Sequence, residues 1–143
     1  MSFTGIKPYF KSRLETLKLK EWQDAFNVDN IPATILDKSF HIELLPATYL
    51  GTAHGCVAFQ SQVRIRAAFK GAAKPSLAVD KAAEYADSII KECCKSTNRL
   101  TDAKLKNILP TSVDIKALEQ SNDNVAVLEI IFSVSLYLNP DET

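Results

Sequence analysis

NVAVLEIIFSVSLYL, from Asn124 to Leu138, is the stretch whose reading decides the fold. One alternating set is Ala126, Leu128, Ile130, Phe132, Val134, Leu136 and Leu138. An unbroken apolar set at period two marks a strand packed on a core. The other set is Val125, Val127, Glu129, Ile131, Ser133, Ser135 and Tyr137. A solvated sheet face is mostly polar, whereas this one mixes polar and apolar residues evenly. Part of it needs a cover. The N-terminal helix of the same chain is one candidate, and a second copy of the chain is the other.

The partner of this strand in a hairpin is Thr111 to Leu118, with Val113, Ile115 and Ala117 on one side. The polar run Glu119 to Asn124 makes the turn between them. A second long strand is predicted over Cys56 to Lys70. Its core side is Val57, Phe59, Val63, Ile65, Ala67 and Phe69. Its other side is Ala58, Gln60, Gln62, Arg64, Arg66, Ala68 and Lys70. Ser39 to Leu45 reads as a third strand, ended by Pro46, with a loop or hairpin tip over Pro46 to Gly55.

Two helices complete the pattern. Ile6, Phe10, Leu14 and Leu17 recur at helical spacing over residues 5 to 18, with Thr4 as the N-cap. A short continuation from Glu21 to Phe26 presents Trp22 and Phe26 before a turn at Asn27 to Pro32. The second helix starts at Pro75-Ser76, with Ser76 as N-cap. Its apolar stripe is Ala78, Ala82, Tyr85, Ile89 and Cys93, widened by Leu77, Ala86, Ile90 and Cys94. One helical turn is placed at Asp102 to Lys106, and Asn139 to Thr143 reads as a free tail. The expected fold is a single α+β domain over residues 1–143. It has a mostly antiparallel four-stranded sheet of two hairpins, helices on one face and the order α-β-β-α-β-β.

Composition bounds the function. A chain of 143 residues forms one domain and buries about 70% of its unfolded surface, so it needs no metal or disulfide staple. Lys plus Arg and Asp plus Glu number 17 each. Net neutrality argues against a dedicated binder of nucleic acid or anionic membrane, which relies on excess basic charge. No targeting signal or apolar run of membrane-spanning length is visible. Cys56, Cys93 and Cys94 are odd in number, and two of them are adjacent on a helix. They read as reduced, packed thiols rather than as bridges.

No phosphate loop or dinucleotide motif is present among the four glycines. His41 and His54 lack a Cys or carboxylate at zinc-site spacing. Asp37 and Glu43 do not form an acid–base pair, since no apolar pocket separates them. No catalytic, metal or cofactor residue is expected, and no enzyme. Arg64, Arg66 and Lys70 share a strand face, which is either plainly solvated or turned to an acidic partner.

The order of elements is itself informative. An amphipathic helix leads to Asn30-Ile31-Pro32, then Leu36-Asp37-Lys38-Ser39-Phe40-His41-Ile42. The strand Gln62-Val63-Arg64-Ile65-Arg66, a helix rich in Ala and acids, and a terminal hairpin follow. This arrangement resembles the tail terminator proteins of long-tailed bacteriophages, also called tail-completion or minor tail proteins. The resemblance spans most of the chain, with Asp37-Lys38-Ser39-Phe40 its most specific part.

That resemblance implies a non-enzymatic virion protein of the tail or neck, assembled in the host cytoplasm. It would form a ring, typically a hexamer, that caps the tail tube and stops its polymerisation. Its implied partners are other copies of itself, the tail tube protein and the head-completion or connector protein. DNA would pass through the centre without specific binding, and no membrane would be involved. Val125, Val127, Ile131 and Tyr137 are then candidate subunit-interface residues. Arg64, Arg66 and Lys70 are candidate lumen or partner-facing residues. Three alternatives stay open: another head–tail connector or tube subunit, a sheet-mediated dimeric ligand-binding domain, and a small α+β enzyme.

Overall fold

A computed structural model describes residues 3–22, 37–53, 55–71, 75–95, 105–120 and 123–141. After a single 3-10 turn at Phe3–Gly5, helix α1 spans Ile6–Thr16 and helix α2 spans Pro75–Cys93. The strands are β1 (Lys20–Glu21), β2 (Ser39–Ala53), β3 (Cys56–Gly71), β4 (Leu105–Gln120) and β5 (Asp123–Leu138). They form one five-stranded sheet in the order β1-β2-β3-β5-β4.

This corrects the expected fold class. The sheet has five strands, not four, and is mixed, because β1 runs parallel to β2. The element order is α-β-β-β-α-β-β. The extra strand has only two residues, too few to show any periodicity. It is fixed by the backbone instead: the Lys20 amide donates to the Lys38 carbonyl at 2.9 Å, and the Trp22 amide to the Phe40 carbonyl at 2.7 Å.

Two further strands outrun the expected bounds for one reason. β2 continues through Pro46 to Ala53, and β4 begins at Leu105, before Pro110. Proline gives no backbone donor, so within a sheet it belongs on an edge or at a bulge. Both prolines sit where the pairing register shifts, between Leu45 and Thr48 in β2 and between Pro110 and Ser112 in β4. The strands absorb them by bulging. Leu105 and Lys106 are therefore strand, not a helical turn; residues 102–104 of that turn lie outside the described residues. Glu21, where a short helical continuation to Phe26 is expected, is strand as well. Residues 23–26 of that continuation, the turn at 27–32, Leu36, His54 and the hairpin residues 121–122 lie outside the described residues.

Both helices pack on one side of the sheet. The buried residues form one cluster that joins Ile6, Phe10 and Leu14 of α1, Ala78, Ala82, Ile89 and Cys93 of α2, and the core sides of β2, β3 and β5. Phe10 meets Phe132 with ring centroids 5.2 Å apart, and Phe69 stacks on Tyr85 at 4.6 Å. Alanines at Ala78, Ala82 and Ala86 let α2 lie close to the strands. Gly71 ends β3 against it, and a Cβ there would come 2.5 Å from the Ala78 amide nitrogen. The Tyr9 hydroxyl donates to the Cys93 carbonyl at 2.7 Å, tying α1 to the end of α2. α1 is capped at Gly5 without a side-chain bond, not by Thr4. No described helix is long and apolar enough to cross a membrane.

Candidate interaction surface

The face of the sheet turned away from the helices gathers all seven candidate residues. Strand register places them in rows: Lys70 faces Val125, Ala68 faces Val127, Arg66 faces Glu129, Arg64 faces Ile131, and Ala58 faces Tyr137. The two sets expected to have separate roles are thus direct cross-strand neighbours, at the distance over which side chains interact. A surface that meets a neighbour through Ile131 also presents Arg64 to it.

Arg64 and Arg66 on this face are not free. Arg64 Nη1 lies 3.1 Å from Glu43 Oε2, and Arg64 Nε lies 3.8 Å from Glu129 Oε1. Arg66 Nε donates to Glu129 Oε2 at 3.2 Å. The result is a chain of alternating charge, Glu43–Arg64–Glu129–Arg66, across three strands. It is neutral overall, and its members are about one quarter to two fifths exposed, so each pair contributes modestly on its own. Its effect is to hold the long side chains flat along the sheet. Gln60 Nε2 donates to Ser133 Oγ at 2.6 Å further along the same face. His41, beside Arg66, donates from Nδ1 to the Trp22 carbonyl at 3.0 Å.

The apolar candidates differ in availability. Val125 is only 1% exposed and is already covered within the single chain. Val127, Ile131 and Tyr137 are half-buried and open to this face. α1 packs on the opposite side, so it is not their cover. Lys70 acts at least partly through its backbone: its amide donates to Asp37 Oδ1 at 2.8 Å.

Asp37 is a joint that the sequence reading missed. The same Oδ1 takes the Lys81 ammonium of α2 at 2.8 Å, and Lys81 Nζ also reaches the Lys70 carbonyl at 3.4 Å. One carboxylate therefore fastens the start of β2, the end of β3 and the side of α2. Lys38 follows with φ of +62°, and Ser39 and Phe40 are buried. Asp37-Lys38-Ser39-Phe40 thus does structural work here. Asp37→Ala is expected to lower unfolding free energy by about 1–3 kcal/mol, measured by urea denaturation, with Lys81→Ala losing less.

Chemistry-bearing groups elsewhere are dispersed. A recess of about 160 Å³ is lined by Lys7, Glu21, Trp22, His41 and Ile42. That is below the roughly 300–1,000 Å³ of small-molecule sites. Among the described residues no three His, Cys, Asp or Glu converge as metal ligands. Cys56, Cys93 and Cys94 are free thiols. Burial, with the neighbouring Cys94 thiol and Glu92 carboxylate, pushes the Cys93 thiol far above its ordinary pKa. Such a thiol is a packing group, since the thiolate is the nucleophile. The Cys94 thiol donates to the Ile108 carbonyl at 3.5 Å, holding α2 to β4.

Exposed apolar side chains mark the sheet's two lateral margins. Leu44, Tyr49 and Leu50 lie along β2, and Leu109 and Val113 along β4, with Leu77 near the start of α2. No protein-family model matches the chain, and no curated protein matches it in sequence.

Proposed function

We propose that this chain is a structural subunit of a bacteriophage tail, a tail terminator that assembles as a ring on the tail tube and ends its growth. The observation that carries the reading is the sheet face that neither described helix covers. It is broad and neutral, crosses β2, β3, β5 and β4, and leaves Val127, Ile131 and Tyr137 half-open around a fixed charge chain. Both described helices pack on the other side, so among the described residues Val127, Ile131 and Tyr137 stay available to a neighbour. A ring is a heterologous assembly, in which one patch of a subunit meets a different patch of the next. The exposed margin at Leu44, Tyr49 and Leu50 supplies a second patch. Net neutrality also suits a lumen through which DNA slides, because strong phosphate contacts would hold it. The resemblance of the sequence to the tail terminators supplies the tail itself, with the two-residue β1 added to the expected order of elements.

The proposed partners are further copies of the chain, the tail tube protein and the head-side connector. The proposed place is the neck of the virion, reached from the host cytoplasm. The test is polymerisation of the tube protein encoded in the same genome, with and without this chain. Tubes of limited length carrying the chain at one end are expected. Unrestricted tubes that never bind it would refute the reading.

A further inference from the structure

Of the sheet's two margins, the one along β1 and β2 is blunted and the one along β4 is not. β1 covers β2 at Ser39 and Phe40, and bulges with Pro46 interrupt it beyond Leu45. Among the described residues, only His41–Leu45 is left as a regular free edge. β4, once past its bulge, runs without interruption from Ser112 to Gln120 against β5, and no described strand pairs its outer side. Ser112, Val113, Asp114, Lys116 and Ala117 are all exposed, Val113 by 47%. A long regular edge with open backbone donors and acceptors is a template for another strand.

We infer that β4 pairs antiparallel with β4 of a second copy, about a two-fold axis at Ile115, making one continuous sheet across a dimer. The charge pattern selects the partner and the register. Centred on Ile115, each Asp114 lies opposite the other copy's Lys116, so the two-fold gives two opposite-charge pairs. Ile115 then faces Ile115 and Val113 faces Ala117, all on the helix side of the sheet. Moving the centre to Lys116 would set lysine against lysine, and moving it to Asp114 would set aspartate against aspartate. Such like-charge pairs are destabilising. Symmetry also matches the hydrogen-bond phase, because the residues whose amides point outward are the same on both strands. Within its own sheet Asp114 lies opposite Glu129, so a partner's lysine relieves a like-charge neighbour.

Pairing with β2 of another copy is the competing arrangement. Keeping helix side with helix side, it gives one opposite-charge pair, Lys116 with Glu43, over the five residues His41–Leu45. The self-pairing has the longer regular run and twice the charge pairs. It describes the free protein and holds whether or not the ring reading does.

The test is native mass spectrometry and sedimentation of the full chain, with circular dichroism confirming that each variant is folded. The wild type is expected to be a dimer. Asp114→Lys and Lys116→Asp are each expected to weaken it at least roughly tenfold, since each turns attractive pairs into repulsive ones. The double variant carrying both changes is expected to dimerise again. An equimolar mixture of the two single variants is expected to form a heterodimer. A monomeric wild type, or a ring that the single variants leave intact, would overturn the pairing while leaving the tube-capping reading to its own test. So would a double variant that fails to recover, or rescue of Lys116→Asp by Glu43→Lys, which would assign this edge to β2.

Discussion

Phe132→Ala lowers the unfolding free energy by about 3–5 kcal/mol, the largest loss expected from any single substitution here. Phe132 is fully buried at the middle of β5. It lies in register with Val63 of β3 on one side and Pro110 of β4 on the other, and its ring meets Phe10 of α1. Truncation would open a cavity where the sheet and α1 meet. Neither can close it, because Tyr9 pins α1 to the end of α2 and the strands are fixed by long ladders. Equilibrium urea unfolding, followed by far-UV circular dichroism, measures the loss. A loss below about 1 kcal/mol would mean the site collapses freely, contrary to the packing described.

Ile131→Ser combined with Val127→Ser is expected to abolish tube capping while the subunit keeps its fold. Both residues are half-buried on the helix-free face of β5, beside Arg64 and Ala68. Replacing them removes apolar surface that only a neighbour would bury fully. Their share of subunit stability is small, about 1 kcal/mol each, as for partly exposed strand positions. The contrast with Phe132, one position along the same strand, is the point. Adjacent strand residues face opposite sides, so one substitution should act on folding and the other on assembly. A stability loss as large as that of Phe132→Ala would return Ile131 to the core, and a folded double variant that still caps tubes would contradict the interface.

The alternation of β5 was the clearest part of the fold in the sequence. Its two sides separate into a buried set from Ala126 to Leu136 and a set that faces away from the helices. The stripe of α2 was legible for the same reason, since Ala78, Ala82, Ile89 and Cys93 recur at helical spacing. Pro46 reads as the end of a strand, and the later strand reads as starting only at Thr111, after Pro110; both prolines are bulged edge positions. Local signals cannot tell a proline that ends a strand from one whose missing donor faces an open edge. β1 was illegible because two residues carry no period.

The candidate surface was legible as residues but not as an arrangement. Ile131 and Arg64 are far apart in the chain, and only register shows that they touch the same partner or none. The pairing of Arg64 and Arg66 with Glu43 and Glu129 was hidden likewise, so a positive stripe in the sequence is a neutral chain on the sheet. Asp37 carried no signal of its role, because its partners Lys70 and Lys81 come from later elements.

On the proposed function, copies of this chain close a ring at the end of a tail tube. Electron microscopy of tube ends, with the copies counted after symmetry averaging, tests it most directly. The expected result is a ring of roughly six copies, the number the resemblance implies, closed by heterologous contacts, seated on one end only and with the face of Ile131 and Arg64 covered by protein. Bare tube ends at saturating chain, or copies scattered along the tube wall, would contradict it.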